Sequence, residues 1–434
     1  MPEQHTVPLS DLRLPIRTLR VAVVDDKGGG EPLLAASDQL TIGSATGNDL
    51  VVADPTVSRF HLELQRTPEG VRVVDCGSTN GTWVGNVRVQ QALVVPGTVL
   101  RIGRTSLRVT DGDDVTVELP ADEQLAGLRG RSLAMRRLMA QIRRAAAAQA
   151  AVLLWGESGT GKELIARALA QLGPRASAPF VTVDCGALTP TLVASELFGH
   201  ERGAFTGATD RHIGAFERAN GGTLFLDEIG ELPPPLQASL LGVLERQRFR
   251  RLGGKDEISV SVRVVSATHR DLRAEVNAGT FRLDLFYRLA VVQLRVPALR
   301  ERRDDVPLLV EHFLRELGHT APLAELFSAA ALDMLAQHHW PGNVRELRNM
   351  VEATVAMGEP PSLPAGAGLD AGDPFAAVLE HSYKDARRAV LEQFEKRYLE
   401  ALLLRAKGNV TQASRLAAMD RSYLIELLQR HGVR

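Results

Sequence analysis

Cysteine is almost absent from these 434 residues: Cys76 and Cys185 are the only two. They stand far apart, which excludes a disulfide framework and a Cys/His metal cluster and suits a reducing compartment. Long apolar runs are missing too. The most apolar stretch, Ala145 to Trp155, is broken by Gln149 and is too short to cross a bilayer. Met1 to Pro15 lacks the apolar centre of a secretory signal, so a cytoplasmic, nucleoid-associated protein with no membrane partner is expected. Net charge is lacking as well, with 51 Lys and Arg against 52 Asp and Glu, so any basic face for nucleic acid must be local. Apolar material is plentiful: 44% of the chain is hydrophobic, enough to fill real cores, and the length suggests roughly two to four domains.

Three styles of sequence follow one another. Residues 18–112 carry short β-type runs (Leu19–Val24, Leu40–Ile42, His61–Leu64, Val71–Val74, Val99–Ile102, Leu107–Val109) between turn residues, the pattern of an all-β sandwich. An acidic stretch from Asp111 to Glu123 reads as a linker, placed at 113–127. Residues 128–357 alternate helical patterns with buried strands at Ala151–Trp155, Phe180–Val183, Thr223–Leu226 and Val262–Ser266, predicting a parallel α/β domain. A linker rich in Gly, Pro and Ala at 358–384 precedes an all-helical tail, 385–434.

In the central part, Val152–Trp155 runs into Gly156-Glu157-Ser158-Gly159-Thr160-Gly161-Lys162-Glu163 and then a helical pattern. Strand, glycine-rich loop and helix form a phosphate cradle: backbone N–H groups wrap the phosphates, the helix N-terminus adds positive potential, and Lys162 reaches the β- and γ-phosphates of ATP. Glu163 stands where a Ser or Thr usually binds magnesium, so other groups must hold Mg²⁺. Gly222 to Leu226 ends in Asp227-Glu228. Two carboxylates closing an apolar strand are costly unless they meet a cation or a reaction. Asp227 is then the metal ligand and Glu228 the group that polarises the attacking water. A strand-end turn that caps the next helix is the bland alternative, and the upstream loop argues against it.

Gly203-Ala204-Phe205-Thr206-Gly207-Ala208, preceded by Glu196-Leu197-Phe198-Gly199-His200, resembles the signature of AAA+ activators of sigma-54 RNA polymerase. The similarity continues through Leu226–Ile229, Phe281–Leu289, Leu299–Arg302 and Trp340–Leu347 and covers about half the chain. It implies an ATPase in which the loop Gly203–Ala208 rises to touch the sigma factor. It also implies that Arg282 and Arg288 reach a neighbouring subunit's γ-phosphate, and that Thr268 and Arg345 sense nucleotide. A site shared between subunits implies a ring, a hexamer by analogy; an arginine supplied in trans makes hydrolysis depend on assembly. Two positions depart from the family: Asp184 replaces an Asn that restrains the catalytic Glu, and His269 replaces an Asn of the first sensor.

The tail places Leu399, Leu402, Leu403 and Ala406 on one helical face, then predicts short helices at Thr411–Ala417 and Arg421–Arg430, together a helix-turn-helix. From Arg397 on, seven Lys and Arg face three Asp and Glu, a local basic bias. The segment resembles Fis-type domains, which implies base-edge contacts from Arg421, Ser422 and Tyr423 and phosphate contacts from Lys407, Arg415 and Arg430 on double-stranded DNA. Ala418 stands at the family's turn glycine. At the N-terminus, Gly43, Ser58-Arg59-Phe60-His61 and Ser78-Thr79-Asn80-Gly81-Thr82 resemble forkhead-associated (FHA) domains. That implies a phosphothreonine site built from Ser44, Ser58, Arg59, Thr79 and Asn80, fed by a phosphorylated protein or a Ser/Thr kinase. Ser44 replaces the usual arginine, and Arg59 stands ready to supply the charge.

Together these readings predict an ATP-driven transcription activator under phosphopeptide control. The alternatives are a DNA-bound scaffold or repressor whose nucleotide only sets oligomeric state, and a protein-remodelling AAA+ chaperone.

Overall fold

The computed structural model describes residues 12–24, 33–34, 38–67, 69–119, 122–187, 189–319 and 323–358. Further on it describes 410–417, 419, 421–431 and a few single positions between Leu391 and Ala406. The chain divides into two compact units, 1–361 and 362–434.

Period-two alternation of apolar residues builds the first part of unit one. A six-stranded sheet (Leu12–Val24, Leu33–Leu34, Thr82–Val84, Val87–Val89, Val99–Ile102, Thr105–Leu119) faces a five-stranded one (Gln39–Gly43, Leu50–Val51, Leu62–Thr67, Gly70–Asp75, Gln91–Val94). Their inward residues, among them Leu19, Leu40, Ile42, Leu64, Val73, Leu100 and Leu107, form one core. The acidic run expected to be linker is strand as far as Leu119, paired antiparallel with Leu12–Val24. Arginine explains the difference. Arg17 bonds Asp114 at 3.0 Å and Arg66 bonds Asp111 at 2.7 Å, so the aspartates are neutralised across the ladder instead of repelling one another.

Five strands form the nucleotide-binding sheet: β1 (Val152–Trp155), β2 (Phe180–Asp184), β3 (Thr223–Asp227), β4 (Arg263–Thr268) and β5 (Val292–Arg295). All pair in parallel, in the order β2-β3-β4-β1-β5. The four anticipated strands are present within a residue or two, and β5 is an addition. Being covered on both faces, these strands read as continuous apolar runs. The helices that matter below are α1 (Leu133–Ala147), α2 (Lys162–Gln171), α3 (Pro190–Phe198), α4 (Leu272–Ala278) and α5 (Leu283–Leu289). A helical lid follows: α6 (Val306–Glu316), α7 (Ala329–Gln337) and α8 (Asn343–Met357), with Trp340 wholly buried between α7 and α8.

The β-sandwich is packed on the α/β domain. Phe60 is 2% exposed and belongs to the same apolar cluster as Leu272, Val276, Leu285 and Phe286, its ring 5.0 Å from that of Phe286. Asn277 on α4 donates to the carbonyls of Phe60 (2.6 Å) and Cys76 (2.9 Å). Arg273 pairs with Glu63 at 3.1 Å beside them. Cys76 itself is buried in this seam.

In unit two, α9 (Val410–Ala417) and α10 (Arg421–Arg430) pack through Ala413, Leu424, Leu427 and Leu428, joined by Leu399, Leu402 and Ala406. These helices match the expected ones. The 358–384 linker lies outside the described residues apart from Gly358, which ends α8 in a left-handed conformation.

Candidate active site

The phosphate cradle is formed as the spacing predicts. β1 ends at Trp155, the loop turns through Gly159 (φ 76°) and Gly161 (φ 101°), and α2 starts at Lys162. Those two positive φ values are what only glycine adopts without strain, and backbone of this kind can gather its amides into an anion-binding nest. Lys162 is buried. Its Nζ donates to the carbonyls of Gly156 (2.9 Å) and Glu157 (3.2 Å), and burial lowers its pKa. Asp227 and Glu228, at the end of β3, face that ammonium, and burial raises the Asp227 carboxyl above its ordinary range. A half-buried carboxylate opposite a lysine, beside an open glycine loop, fits a nucleotide with its divalent cation.

Glu228 adopts a left-handed backbone, φ 49°, so its side chain turns back toward the end of β4. There its Oε2 accepts from His269 Nδ1 at 2.7 Å and from the His269 amide at 3.2 Å. Asp184, the other departure, does not take this role: its Oδ1 accepts from the amides of Gly186 (2.8 Å) and Ala187 (3.1 Å). Two carboxylates cannot hold each other without a shared proton, whereas an imidazole can donate. Thr268, expected near nucleotide, is buried and accepts from the Arg270 amide, which makes it part of the sheet-end framework.

Glu157 and Glu163 also differ from their expected places in the cradle. Glu157 turns to the lid, where Arg300 Nη1 and Nη2 and Asn343 Nδ2 (3.1 Å) engage it. That pairing holds its carboxyl at about 2, well below the usual range. Glu163 pairs with Arg167 one turn along α2. In both cases a carboxylate avoids the phosphate site by meeting an arginine. Arg345, on α8 of the lid, reaches the cradle: its guanidinium donates to Ser158 Oγ at 3.2 Å. Asn343 was missed. It is wholly buried and ties Leu299 N, Ser158 O and Glu157 together. Arg302, also missed, donates to the Thr160 carbonyl at 3.0 Å, and burial lowers its pKa to about 10.

Arg282 stands at the N-cap of α5 and Arg288 in its last turn, both at the surface. Arg282 pairs with Asp284 at 2.7 Å, and Arg288 donates to the Leu244 carbonyl at 2.9 Å. The structure therefore brings together Lys162, Asp227, Glu228 and Arg345, and engages Arg282 and Arg288 elsewhere.

In the sandwich, Ser58, Thr79 and Asn80 meet at one rim. Thr79 N donates to Ser58 Oγ at 3.0 Å, and Asn80 Nδ2 to the Thr56 carbonyl at 2.8 Å. Buried His61 braces the rim, accepting from Ser58 N at Nδ1 (3.1 Å) and facing the Gly81 carbonyl with Nε2 (3.3 Å). Arg59 is exposed beside them, and the Ser44 amide donates to the Ser58 carbonyl. Of the DNA-contact candidates, Arg430 is exposed near the end of α10. Lys407 and the side chains of Arg415, Arg421, Ser422 and Tyr423 lie outside what is described.

Residues 128–295 match the sigma-54 interaction domain family, 300–365 the AAA+ ATPase lid domain and 40–103 the FHA domain. The transcriptional regulatory protein GlrR of Escherichia coli K12 is 40% identical over 391 residues, covering 88% of this chain and 87% of its own length. The transcriptional regulator NtrC of Azospirillum brasilense is 42% identical, over 70% of this chain and 69% of its own. Among solved structures, NtrX from Brucella abortus in complex with ATP is similar at a TM-score of 0.50 and 38% identity. It covers 72% of this chain and 70% of its own. With the sandwich, the cradle, the lid and the loop Gly203–Ala208 in one sequence, the chain belongs to the sigma-54-dependent transcriptional regulators.

Proposed function

We propose that the chain hydrolyses ATP to remodel sigma-54 RNA polymerase from a closed to an open promoter complex. It does so as a ring, a hexamer by analogy with the family, bound to double-stranded DNA through α9 and α10. The observation that carries the reading is the convergence of Lys162, Asp227, Glu228 and Arg345 on one glycine loop, with Arg282 and Arg288 engaged elsewhere. A pocket built this way is complete only when a neighbour contributes its arginines.

Lys162 exchanges the carbonyls of Gly156 and Glu157 for the β- and γ-phosphate oxygens. Asp227 holds magnesium, which supplies charge neutralisation on the phosphates when bound. Glu228 leaves His269 and orients water, and Arg345 carries the nucleotide state to the lid. Among the structures of similar proteins, the ATP complex of Brucella NtrX supports nucleotide in this cradle.

Phosphothreonine control at Ser58, Arg59, Thr79 and Asn80 is the finer part of the proposal. Its support is the seating of Phe60, next in sequence to Arg59, inside the ATPase cluster. The second reading, a DNA-bound scaffold or repressor, draws on Glu228 being held by His269.

Magnesium-dependent ATP turnover by the purified chain, with Lys162→Ala as control, separates the two. Turnover that rises with protein concentration and disappears in Lys162→Ala supports the motor; no turnover at any concentration supports the scaffold. Thr206→Ala should abolish open-complex formation in transcription with sigma-54 polymerase while retaining ATPase activity.

A further inference from the structure

The loop Gly203–Ala208 is closed on itself, and one histidine lies against it. Gly203 (φ 82°) and Gly207 (φ 100°) make its hinges, closed by Gly203 N–H to the Ala208 carbonyl (2.8 Å) and Ala208 N–H to the Phe205 carbonyl (3.0 Å). Phe205, the loop's one large apolar side chain, is half-buried against the edge of the His200 ring, 4.9 Å between centroids at 67°. His200 is itself fixed on three sides. Its Nδ1 lies 2.7 Å from Ser195 Oγ on α3, its ring stacks on His212 at 5.6 Å, and its backbone exchanges hydrogen bonds with His212 (3.1 and 2.9 Å). The neighbouring turn closes the other side. Gly253 (φ 72°) comes so near Ala204 that a Cβ on it would stand 3.0 Å from the alanine methyl.

We propose that His200 is the positioning residue that holds the sigma-54 loop lowered between turnovers, by seating Phe205 on a ring fixed by Ser195. This rests on reading the loop as the sigma-54 contact. A ring half-buried against a fixed imidazole offers a partner only part of its surface, so a partner that takes the whole ring must first break that contact. An edge-to-face pair is worth a few-fold in population, enough to bias a loop with two positions without locking it. The seat is also connected to the chemistry. α3, which carries Ser195, begins just after the Asp184–Ala187 turn, where Gly186 lies against Glu228. Movement of Glu228 on nucleotide binding therefore shifts the base of the seat.

The test uses the full chain with His200→Ala, His200→Phe (ring kept, hydrogen bond lost) and Ser195→Ala. Two readouts are needed. Limited trypsin cleavage after Arg202, exposed at the loop's base, reports loop release directly. Pull-down of purified sigma-54 with no nucleotide, with ADP and with ADP–aluminium fluoride reports partner access. His200→Ala should speed Arg202 cleavage roughly threefold to tenfold with other cleavages unchanged. It should also bind sigma-54 without the analogue, with ATPase activity within about twofold of the parent. His200→Phe and Ser195→Ala, which each keep a ring but lose the hydrogen bond that fixes it, should both fall between. Unchanged Arg202 cleavage in His200→Ala, or His200→Phe matching His200→Ala, overturns the proposal. Faster cleavage in a protein that never binds sigma-54 keeps the seat and discards the sigma-54 reading instead.

Discussion

Glu157 puts a carboxylate in a loop meant for phosphates, and Arg300 with Asn343 makes that tolerable. Its folded pKa of about 2 lies below the ordinary value of about 4.3. A group with a depressed folded pKa contributes stability above its unfolded pKa, and that contribution is lost as pH falls through the folded one. The lid-to-loop tie should therefore weaken between about pH 4.5 and pH 2. Glu157→Gln should flatten that part of a denaturant-midpoint profile while lowering the midpoint at pH 7; an unchanged profile removes the tie as a contributor. Lys162, Asp227 and Glu228 were legible in sequence because strand, loop and helix fix their spacing. Asn343 and Arg300 were visible only inside matched blocks. Their partner stands 186 and 143 residues away, and local pattern does not name such partners. His269 was readable as a possible donor, but that it would hold Glu228 in place of Asp184 depended on backbone turns at two strand ends.

At the scale of elements, the last lid helix, α8, begins where the lid touches the phosphate loop. The Gly342 carbonyl lies where a Cβ on Gly159 would meet it at 2.3 Å, and Gly159 has φ 76°. Gly159→Ala must therefore either strain the loop or push α8 away, at about 1–3 kcal/mol for the strain alone. The expected result is a loss of ATP affinity of at least about tenfold, by fluorescent-nucleotide titration, without loss of secondary structure by circular dichroism. Wild-type affinity would mean that lid and loop need not touch. Period-two runs located the sandwich strands but not their ends. The aspartates from Asp111 onward read as solvent-loving until Arg17 and Arg66 supply partners from other strands. The sheet of the ATPase was easier, since buried parallel strands announce themselves as unbroken apolar runs.

At the scale of the molecule, Phe60 seats the sandwich in the apolar cluster of the ATPase. Nothing in the sequence marks it, because an aromatic after Ser58-Arg59 reads equally well as sandwich core. Its removal leaves a cavity in the ATPase cluster and frees the sandwich, a cost of about 3–5 kcal/mol for a buried Phe-to-Ala change. Phe60→Ala should split the thermal unfolding of the full chain, by calorimetry, into separate sandwich and ATPase transitions where the parent shows them merged. A single transition with the same midpoint would mean that the seam carries no coupling.

The scarcity of thiols turns that seam into its own reporter. Cys76 lies in it, buried and held protonated by the surrounding apolar groups, while Cys185 is buried just past the end of β2 with its thiol pushed up to about 12. Thiolates, not thiols, react with disulfide reagents, so the native protein should be nearly silent toward them. Whatever parts the sandwich from the ATPase, a phosphopeptide included, should switch on colour from one sulfur and leave the other dark, with no label engineered in.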